Sequence, residues 1–521
     1  MASEAATTGE MKRTLTLTGV TVNAMAFIAP GAFLWTTFQL QAAQSIGGRT
    51  TALDMWTGLG FALILAFLTA FSYSELARIY PKGGTGSSYY YAEAALLDKD
   101  QPHLRRFARL AKVSLGWVSH LYYWIYPGIM VAFAATLAGY IWTAITGITL
   151  SFPVLAIIAV IFAVLCGYVA FRGISGSTNT VMAITVIQLV AIAAFSAFAI
   201  YFRLTHPGTY AMAKASTVVI PHSFINIIAQ STIAILLLVG FEAVTALAAE
   251  AKRPEKDIRR GVLLSLAIQG GVAYLFQYFA ANFVVSPTTI TAKTAAGKVV
   301  VGYAAAALDG APIGTMLTHM VNTVFGGAGT AVSVLMALTV LLALVGTTLA
   351  SLTAGVRITY AMARDKEMPS ILGLLHGKFA TPHGGIWVLA ALSGALGVYG
   401  VYSLDALTQI TLASNAGTFI VYAASCLIAI VAFASRKDRS ILKHYVIPGT
   451  GFLMNIAEIA GIIYLAVTAG GAMAKDAYIA IGVVIAWIIL GFVWVALNPA
   501  MRGKKLLHDP RALEEANTAK A

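Results

Sequence analysis

The sequence Ile28-Ala29-Pro30-Gly31-Ala32-Phe33 lies inside a long apolar stretch, residues 16–43, and its proline and glycine interrupt the helical pattern. A second apolar stretch, residues 225–250, contains a similar interruption at Val239-Gly240-Phe241-Glu242. A helix that breaks inside a bilayer leaves backbone N–H and C=O groups that lipid cannot satisfy, so such breaks persist only where they line a protein-enclosed cavity. Two breaks, about five spans apart, predict the substrate site of a transporter.

The composition places the chain among polytopic membrane proteins. Hydrophobic residues make up 59% of its 521 residues, charged residues only 11%, and the mean hydropathy is +0.81. Soluble globular proteins typically have about 25% charged residues. Apolar windows of about 20 residues predict an all-α protein with twelve transmembrane spans, namely 16–43, 53–80, 113–145, 153–171, 178–203, 225–250, 261–285, 326–363, 385–403, 406–434, 446–470 and 474–498.

The net charge of +13 comes from basic residues that are distributed asymmetrically. If the N-terminus is cytoplasmic, only six of the 34 Lys and Arg residues fall in outer loops. These are Arg49, Arg203, Lys214, Lys293, Lys298 and Lys475. Such a bias follows the positive-inside rule. It predicts a multi-pass cell-membrane protein in contact with the lipid bilayer, with both termini cytoplasmic, and it argues against a nucleic-acid partner.

The sequence contains no pattern that indicates an enzyme. Its two cysteines, Cys166 and Cys426, lie in apolar spans, and no Cys/His cluster has metal-ligand spacing. The glycine-rich run at residues 82–86 lacks the Walker spacing and the strand–helix context of a nucleotide-binding loop. We therefore expect no enzymatic activity, no metal and no cofactor, and ATP-driven transport is disfavoured.

Four segments carry a family resemblance. They are residues 28–33 (IAPGAF), residues 73–84 (YSELARIYPKGG) with Gly86-Ser87-Ser88-Tyr89 after them, residues 240–243 (GFEA) leading to 250–254 (EAKRP), and residues 357–365 (RITYAMARD) with Pro369. Their order and spacing over about residues 15–435 resemble those of the amino acid–polyamine–organocation permeases. In the first break, Ala29 replaces the glycine that is usual in that family.

The resemblance implies one transmembrane domain, residues 16–498, with a five-plus-five inverted repeat and discontinuous helices 1 and 6. Repeat one would cover about 16–203, repeat two about 225–434, and two peripheral accessory helices about 446–498. The ends, 1–15 and 499–521, would be cytoplasmic tails.

The first break is a candidate carboxylate site. Proline lacks a backbone donor and glycine allows close backbone approach, so the half-helix after the break would begin with free N–H groups and a positive dipole end. A plain proline kink is the alternative. The predicted substrate-binding residues are Ile28, Ala29, Pro30, Gly31, Ala32, Val239, Gly240, Phe241, Glu242, Tyr123 and Asn415.

Glu242 is the most consequential acid, because a carboxylate within a span is costly unless it is protonated, paired or hydrated. Three roles remain open for it: carrying the coupling proton, meeting a cationic amine on the substrate, or bonding the unwound backbone. Glu458 in span 11 is a second intramembrane acid, for which the sequence favours a structural or interface role.

The coupling ion is predicted from spans 5 and 8. Many proton-coupled members of the resembled family carry a lysine in span 5 at the position of Gln188. Thr347 and Thr348 in span 8 could ligate Na⁺ together with carbonyls of helix 1, or could simply pack helices. Proton coupling is favoured, with Glu242, Gln188, Thr347 and Thr348 as the coupling residues.

The sequence thus predicts a secondary active transporter of an amino acid or related organic amine that works by alternating access. A sodium symporter and an amino acid/polyamine exchanger are alternatives, and a channel or a non-transporting sensor is the alternative from a different class. At the end of span 2, Glu75 and Arg78 are candidates for a cytoplasmic gate with Glu250, Lys252 and Arg253, or for solvated helix ends.

Overall fold

The computed structural model describes most of the chain. The described residues are 15–28, 30–81, 87–99, 101–173, 178–207, 215–248, 251–277, 282–294, 296–498, 501 and 506–507. Most of them are helical. In chain order the α-helices are α1 Leu17–Ile28, α2 Pro30–Ala43, α3 Met55–Ile79, α4 Ser88–Leu97, α5 Pro102–Arg105, α6 Ala108–Thr146, α7 Phe152–Phe171, α8 Thr178–Thr205, α9 Ala215–Val219, α10 Phe224–Ala234, α11 Pro254–Phe276, α12 Tyr303–Ala306, α13 Pro312–Phe325, α14 Gly329–Arg364, α15 His383–Tyr402, α16 Leu404–Phe433, α17 Ile447–Thr468 and α18 Gly471–Leu497.

Two short antiparallel hairpins complete the regular structure. Strands β1 (Ser45–Ile46) and β2 (Arg49–Thr50) pair after α2, and strands β3 (Thr291–Lys293) and β4 (Val299–Val301) pair before α12. Both hairpins lie between helices and neither extends into a larger sheet. The strands are therefore loop structures on a helical scaffold.

Nine helices in the described part of the chain are long and apolar enough to cross a membrane. Within each helix the backbone N–H and C=O groups hydrogen-bond to one another, which is the condition that a hydrocarbon environment imposes. Many of their apolar side chains face outward: on α7 alone, Ile157, Ile161 and Leu165 are more than half exposed. These outward residues are suited to contact lipid, so the chain is a multi-pass membrane protein.

Both predicted interruptions fall between helical segments. The first lies between the end of α1 at Ile28 and the start of α2 at Pro30. In the second, α10 continues into a 3₁₀ turn at Ile235–Leu237, and a new 3₁₀ segment runs over Phe241–Leu247. The glycine between them, Gly240, has a left-handed backbone with φ of +115°. The chain therefore departs from α-helical geometry at the second place, whereas the first predicted interruption centres on Ala29, which lies outside the described residues.

A pair of tryptophans ties the last helix to α6. The indole N–H of Trp117 donates to the Trp487 carbonyl at 2.8 Å, and that of Trp487 donates to the Trp117 carbonyl at 2.9 Å. Their rings stack with centroids 4.8 Å apart. A Cβ added at Gly491 would lie 2.4 Å from Nε1 of Trp117, so only glycine allows α18 to approach this closely.

The structure corrects some predicted boundaries. The seventh span was predicted to begin at residue 261, in the range 261–285, but α11 (Pro254–Phe276) begins seven residues earlier. A proline in its first turn, with Glu255 and Asp257, is a typical helix start. The region between spans 7 and 8 also contains α13, an amphipathic helix that apolar windows do not detect.

Candidate functional site

The second break contacts helix α1 through Gly240 and Phe27. A Cβ added at Gly240 would lie 2.1 Å from Cδ1 of Phe27, which is far inside van der Waals distance. Phe27 is buried near the end of α1 and stacks on Tyr126 of α6, with ring centroids 5.7 Å apart. The second break therefore packs its backbone against α1, next to the predicted position of the first break.

Glu242 lies at the centre of this region, with 2% of its surface exposed. Its Oε2 accepts hydrogen bonds from the Gly240 amide at 3.0 Å and from the Tyr422 hydroxyl at 2.7 Å. Its Oε1 accepts a longer one from the Tyr123 hydroxyl at 3.4 Å. Among the described residues Glu242 forms no ion pair. The arrangement surrounds an acid with neutral donors, and no described residue supplies an opposite charge.

Aromatic rings close the second break on one side. Phe241 is fully buried, with its ring 5.2 Å from that of Tyr422 and 6.2 Å from that of Tyr73. The Tyr73 hydroxyl in turn hydrogen-bonds Ser88 and Ser425. In this conformation the acid therefore lies behind packed rings rather than in an open channel, and such rings are suited to hold a cation.

Helix α16 contributes two polar groups from one face. Asn415 donates from Nδ2 to the carbonyl of Thr232 on α10 at 2.7 Å, while its Oδ1 has no partner among the described residues. Tyr422 lies two helical turns further on and reaches Glu242. Sequence analysis named Asn415 but missed Tyr422, although their spacing of seven residues puts both on the same helix face.

The structure brings part of the predicted substrate set together. Ile28 and Val239 are fully buried at the two breaks, and Pro30, Gly31 and Ala32 form the first turn of α2. Ala29 lies outside the described residues. The carboxylate site at the first break therefore stays a prediction.

Of the predicted coupling residues, Thr347 has a hydrogen bond to helix α1. Its hydroxyl donates to the Ala26 carbonyl at 2.9 Å, with the Ala343 carbonyl of its own helix also within reach at 3.1 Å. Thr348 instead donates to Leu344 one turn back on α14 at 2.7 Å. Gln188 is buried on α8, which packs against α1.

Glu75 forms an ionic cluster at the end of α3. It pairs with Arg78 at 2.8 Å, with Arg259 of α11 at 2.8 Å and with His444 at 3.3 Å. Arg78 also pairs with Asp438 at 3.0 Å, and this bond holds the pKa of the exposed Asp438 carboxyl below its usual value. The predicted Glu75–Arg78 contact is present, but Arg259 supplies the cross-helix partner. Glu250 lies outside the described residues.

A second polar cluster joins α4 to the segment after α14. The Tyr89 hydroxyl lies 2.7 Å from both Asp365 and Glu367, and Lys112 pairs with Asp365 at 2.7 Å and with Glu93 at 2.8 Å. Burial raises the pKa of the Glu367 carboxyl to about 7. This carboxyl therefore changes its protonation state near neutral pH.

Tyr422→Phe tests which hydroxyl positions Glu242. The Tyr422 hydrogen bond is short and its acceptor is an acid, so its loss should cost about 1.5 kcal/mol of stabilisation. We expect the rate of substrate uptake to fall roughly tenfold. The matched control is Tyr123→Phe, whose 3.4 Å bond is weak, so uptake should fall less than about threefold. Initial uptake rates in proteoliposomes measure both. An equal or larger effect of Tyr123→Phe would contradict this ranking.

The comparisons with known proteins point to transporters. Residues 13–499 match a family described as amino acid permease. The chain is similar to a methylthioribose transporter of Bacillus subtilis, with 26% identity over 400 residues that cover 74% of this chain and 76% of the relative. It is also similar to the low-affinity putrescine importer PlaP of Escherichia coli, with 24% identity over 74% of each chain. The branched-chain amino acid permease BcaP of Bacillus subtilis is 24% identical over 52% of this chain and 50% of that permease.

Proposed function

The chain belongs to the amino acid permease family, and we propose that it is a secondary active transporter of an amino acid or related organic amine. Family membership makes it a permease-type transporter and not an enzyme, as the sequence predicted. The observation that carries the substrate proposal is the position of Glu242: it is buried at the second break, held by neutral donors, and forms no ion pair among the described residues.

A substrate ammonium group would complete this arrangement. An uncompensated carboxylate in a low-dielectric interior is costly, and a cation or a proton removes the cost. The amides of the first turn of α2 would meet the carboxylate of an amino acid at the other break. Two of the similar proteins are named for substrates that contain amines. PlaP is named for the diamine putrescine and BcaP for branched-chain amino acids. Both ends of an amino acid would thus be bound by the broken helices.

The proton is the proposed coupling ion, because Glu242 is a titratable group at the centre of the site. Sodium is the second candidate, and a specific contact supports it. The Thr347 hydroxyl of α14 and the Ala26 carbonyl of α1 lie 2.9 Å apart, which brings oxygens of both helices together as a hard cation requires. Thr348 and Gln188 remain proposed coupling residues.

The twelve-span architecture is also a proposal. To the nine long apolar helices we add interrupted helix 1 (α1 and α2), interrupted helix 6 (α10 and the segment after it) and α11, whose charged first turns would lie at the membrane surface. Spans 1–5 and 6–10 would form the inverted repeat, and α17 and α18 the accessory pair. The positive-inside bias supports a cell-membrane location with cytoplasmic termini.

Uptake into proteoliposomes tests the function. We expect the purified chain to concentrate radiolabelled leucine or putrescine when an inward proton gradient is imposed, and a protonophore to abolish accumulation. Methylthioribose has no amine and is the matched negative substrate. If the protein accumulates methylthioribose but neither leucine nor putrescine, the amine proposal is overturned.

The same assay separates the alternatives. Accumulation that requires Na⁺ and persists with a protonophore would favour the sodium site at Thr347. Movement that stops at equal concentrations would indicate a channel, and binding without flux would indicate a sensor.

A further inference from the structure

Glu458 is a second buried acid, on α17, and the candidate substrate site does not use it. None of its surface is exposed. One oxygen, Oε1, accepts a hydrogen bond from the Ser231 hydroxyl. The other, Oε2, is buried and has no hydrogen-bond partner in the part of the chain that the structure describes. A single neutral hydroxyl does not compensate an ionised carboxylate in a membrane interior, whose cost is several kcal/mol.

The helices that pack against α17 offer no base near the middle of the bilayer. α10 carries no titratable residue. On α3, α16 and α18 the charged groups lie toward helix ends and are Glu75, Arg78, Asp405, Lys475 and Asp476. The other titratable groups on these helices and on α17 itself are Tyr73, Tyr422, Cys426, Tyr464 and Tyr478. The π-helical turn Leu442–Val446 before α17 adds Lys443, His444 and Tyr445. None of the bases Arg78, Lys443, His444 and Lys475 forms an ion pair with Glu458 among the described residues.

Through its hydrogen bond with Ser231, Glu458 contacts α10, the first half of interrupted helix 6. Ser231 lies on α10, nine residues before Gly240 and next to Thr232, whose carbonyl is held by Asn415. α17 approaches α10 very closely here, because a Cβ added at Gly461 would lie 2.4 Å from Cγ2 of Ile228. Any tilt of α10 during alternating access would therefore separate Glu458 from Ser231 and admit water to Oε2.

We propose that Glu458 is a second proton-binding site of the transport cycle. In the packed conformation described here its carboxyl carries a proton. When α10 moves away, the O–H bond breaks, the proton passes to water and the carboxylate is hydrated. This step rests on the proposed transport function, and it gives accessory helix α17 a part in coupling rather than a purely structural one.

The first test measures the proton itself, without any substrate. Infrared difference spectra of the purified full-length protein, wild type minus Glu458→Gln, should contain the carbonyl band of a protonated carboxyl group at neutral pH. Ser231→Ala removes the hydrogen bond and should shift that band to higher frequency. A carboxylate band alone at neutral pH would overturn the proposal. Because no substrate is present, this result stands even if amine uptake fails.

The second test measures coupling in proteoliposomes loaded with a pH-sensitive dye, with putrescine and leucine as probes. Glutamine mimics a protonated carboxyl group, so Glu458→Gln should keep binding within about twofold but take up fewer protons per substrate. An unchanged proton-to-substrate ratio would overturn the proposal. If Glu458→Gln does not fold, Ser231→Ala replaces it, with a shifted pH profile of uptake as the expected result and an unshifted profile as the contrary one.

Discussion

Gly240→Ala is expected to abolish transport. Alanine at φ of +115° is strained by about 1–2 kcal/mol. Its Cβ would also lie 2.1 Å from Phe27, and overpacking of this kind costs about 1–3 kcal/mol. Phe27 cannot yield easily, because it is buried and stacked on Tyr126. Uptake rates and thermal stability of the purified variant measure the effect, and both should fall.

A matched control and a second-site variant test why Gly240→Ala should abolish transport. Gly271→Ala on α11 adds a Cβ that meets nothing within 4 Å, so uptake should be unchanged. The double variant Gly240→Ala/Phe27→Ala removes the two shortest contacts but leaves Cβ of Phe27 2.9 Å from the new Cβ and opens a cavity, so we expect partial recovery of uptake without recovery of stability. Wild-type uptake by Gly240→Ala would show that the two breaks do not depend on this contact.

Glu242→Gln is expected to abolish proton-driven accumulation. The amide can turn its oxygen toward the Gly240 amide and the Tyr422 hydroxyl and leave its NH₂ near Tyr123, whose hydroxyl can accept. The local hydrogen bonds are therefore retained while the charge is lost. If the carboxylate also meets a substrate amine, affinity should fall by about 1–3 kcal/mol, roughly 5- to 150-fold.

Substrate affinity and the pH profile of uptake together distinguish a proton-binding role of Glu242 from an amine-binding role. Loss of accumulation with unchanged affinity assigns it the proton, and loss of affinity assigns it the amine. Glu255→Gln, which neutralises an exposed acid in the first turn of α11, is the control and should leave both unchanged. If Glu242→Gln matches the wild type in affinity and in pH profile, only the backbone role of Glu242 remains.

The sequence was sufficient for the family and for the position of the second break, because both depend on local signals. Proline, glycine and a lone acid in apolar surroundings are visible without any tertiary information, and the four family segments are short and ordered. The family prediction is confirmed by the match over residues 13–499. The count of twelve spans and the substrate-binding set remain predictions.

The contacts that assemble the site could not be read from the sequence. The packing of Phe27 on Gly240 joins residues more than 200 positions apart, and the pairing of Glu75 with Arg259 depends on how α11 lies against α3. Neither leaves a periodic signal. The start of α11, in contrast, was readable: Pro254 followed by two acids marks a helix start, but its charges hid it from a search for apolar windows.

The reciprocal tryptophan contact between α6 and α18 has a consequence for biosynthesis. Trp117 and Trp487 are 370 residues apart. Ribosomes add about 5–20 residues per second, so α6 waits roughly 20–70 s for its partner. During that time the Trp117 indole N–H faces lipid or another membrane component without its final acceptor. A chain that stops before α18 would leave Trp117 of α6 without its partner helix, and this would offer quality-control proteins in the membrane a means to recognise the chain as unfinished.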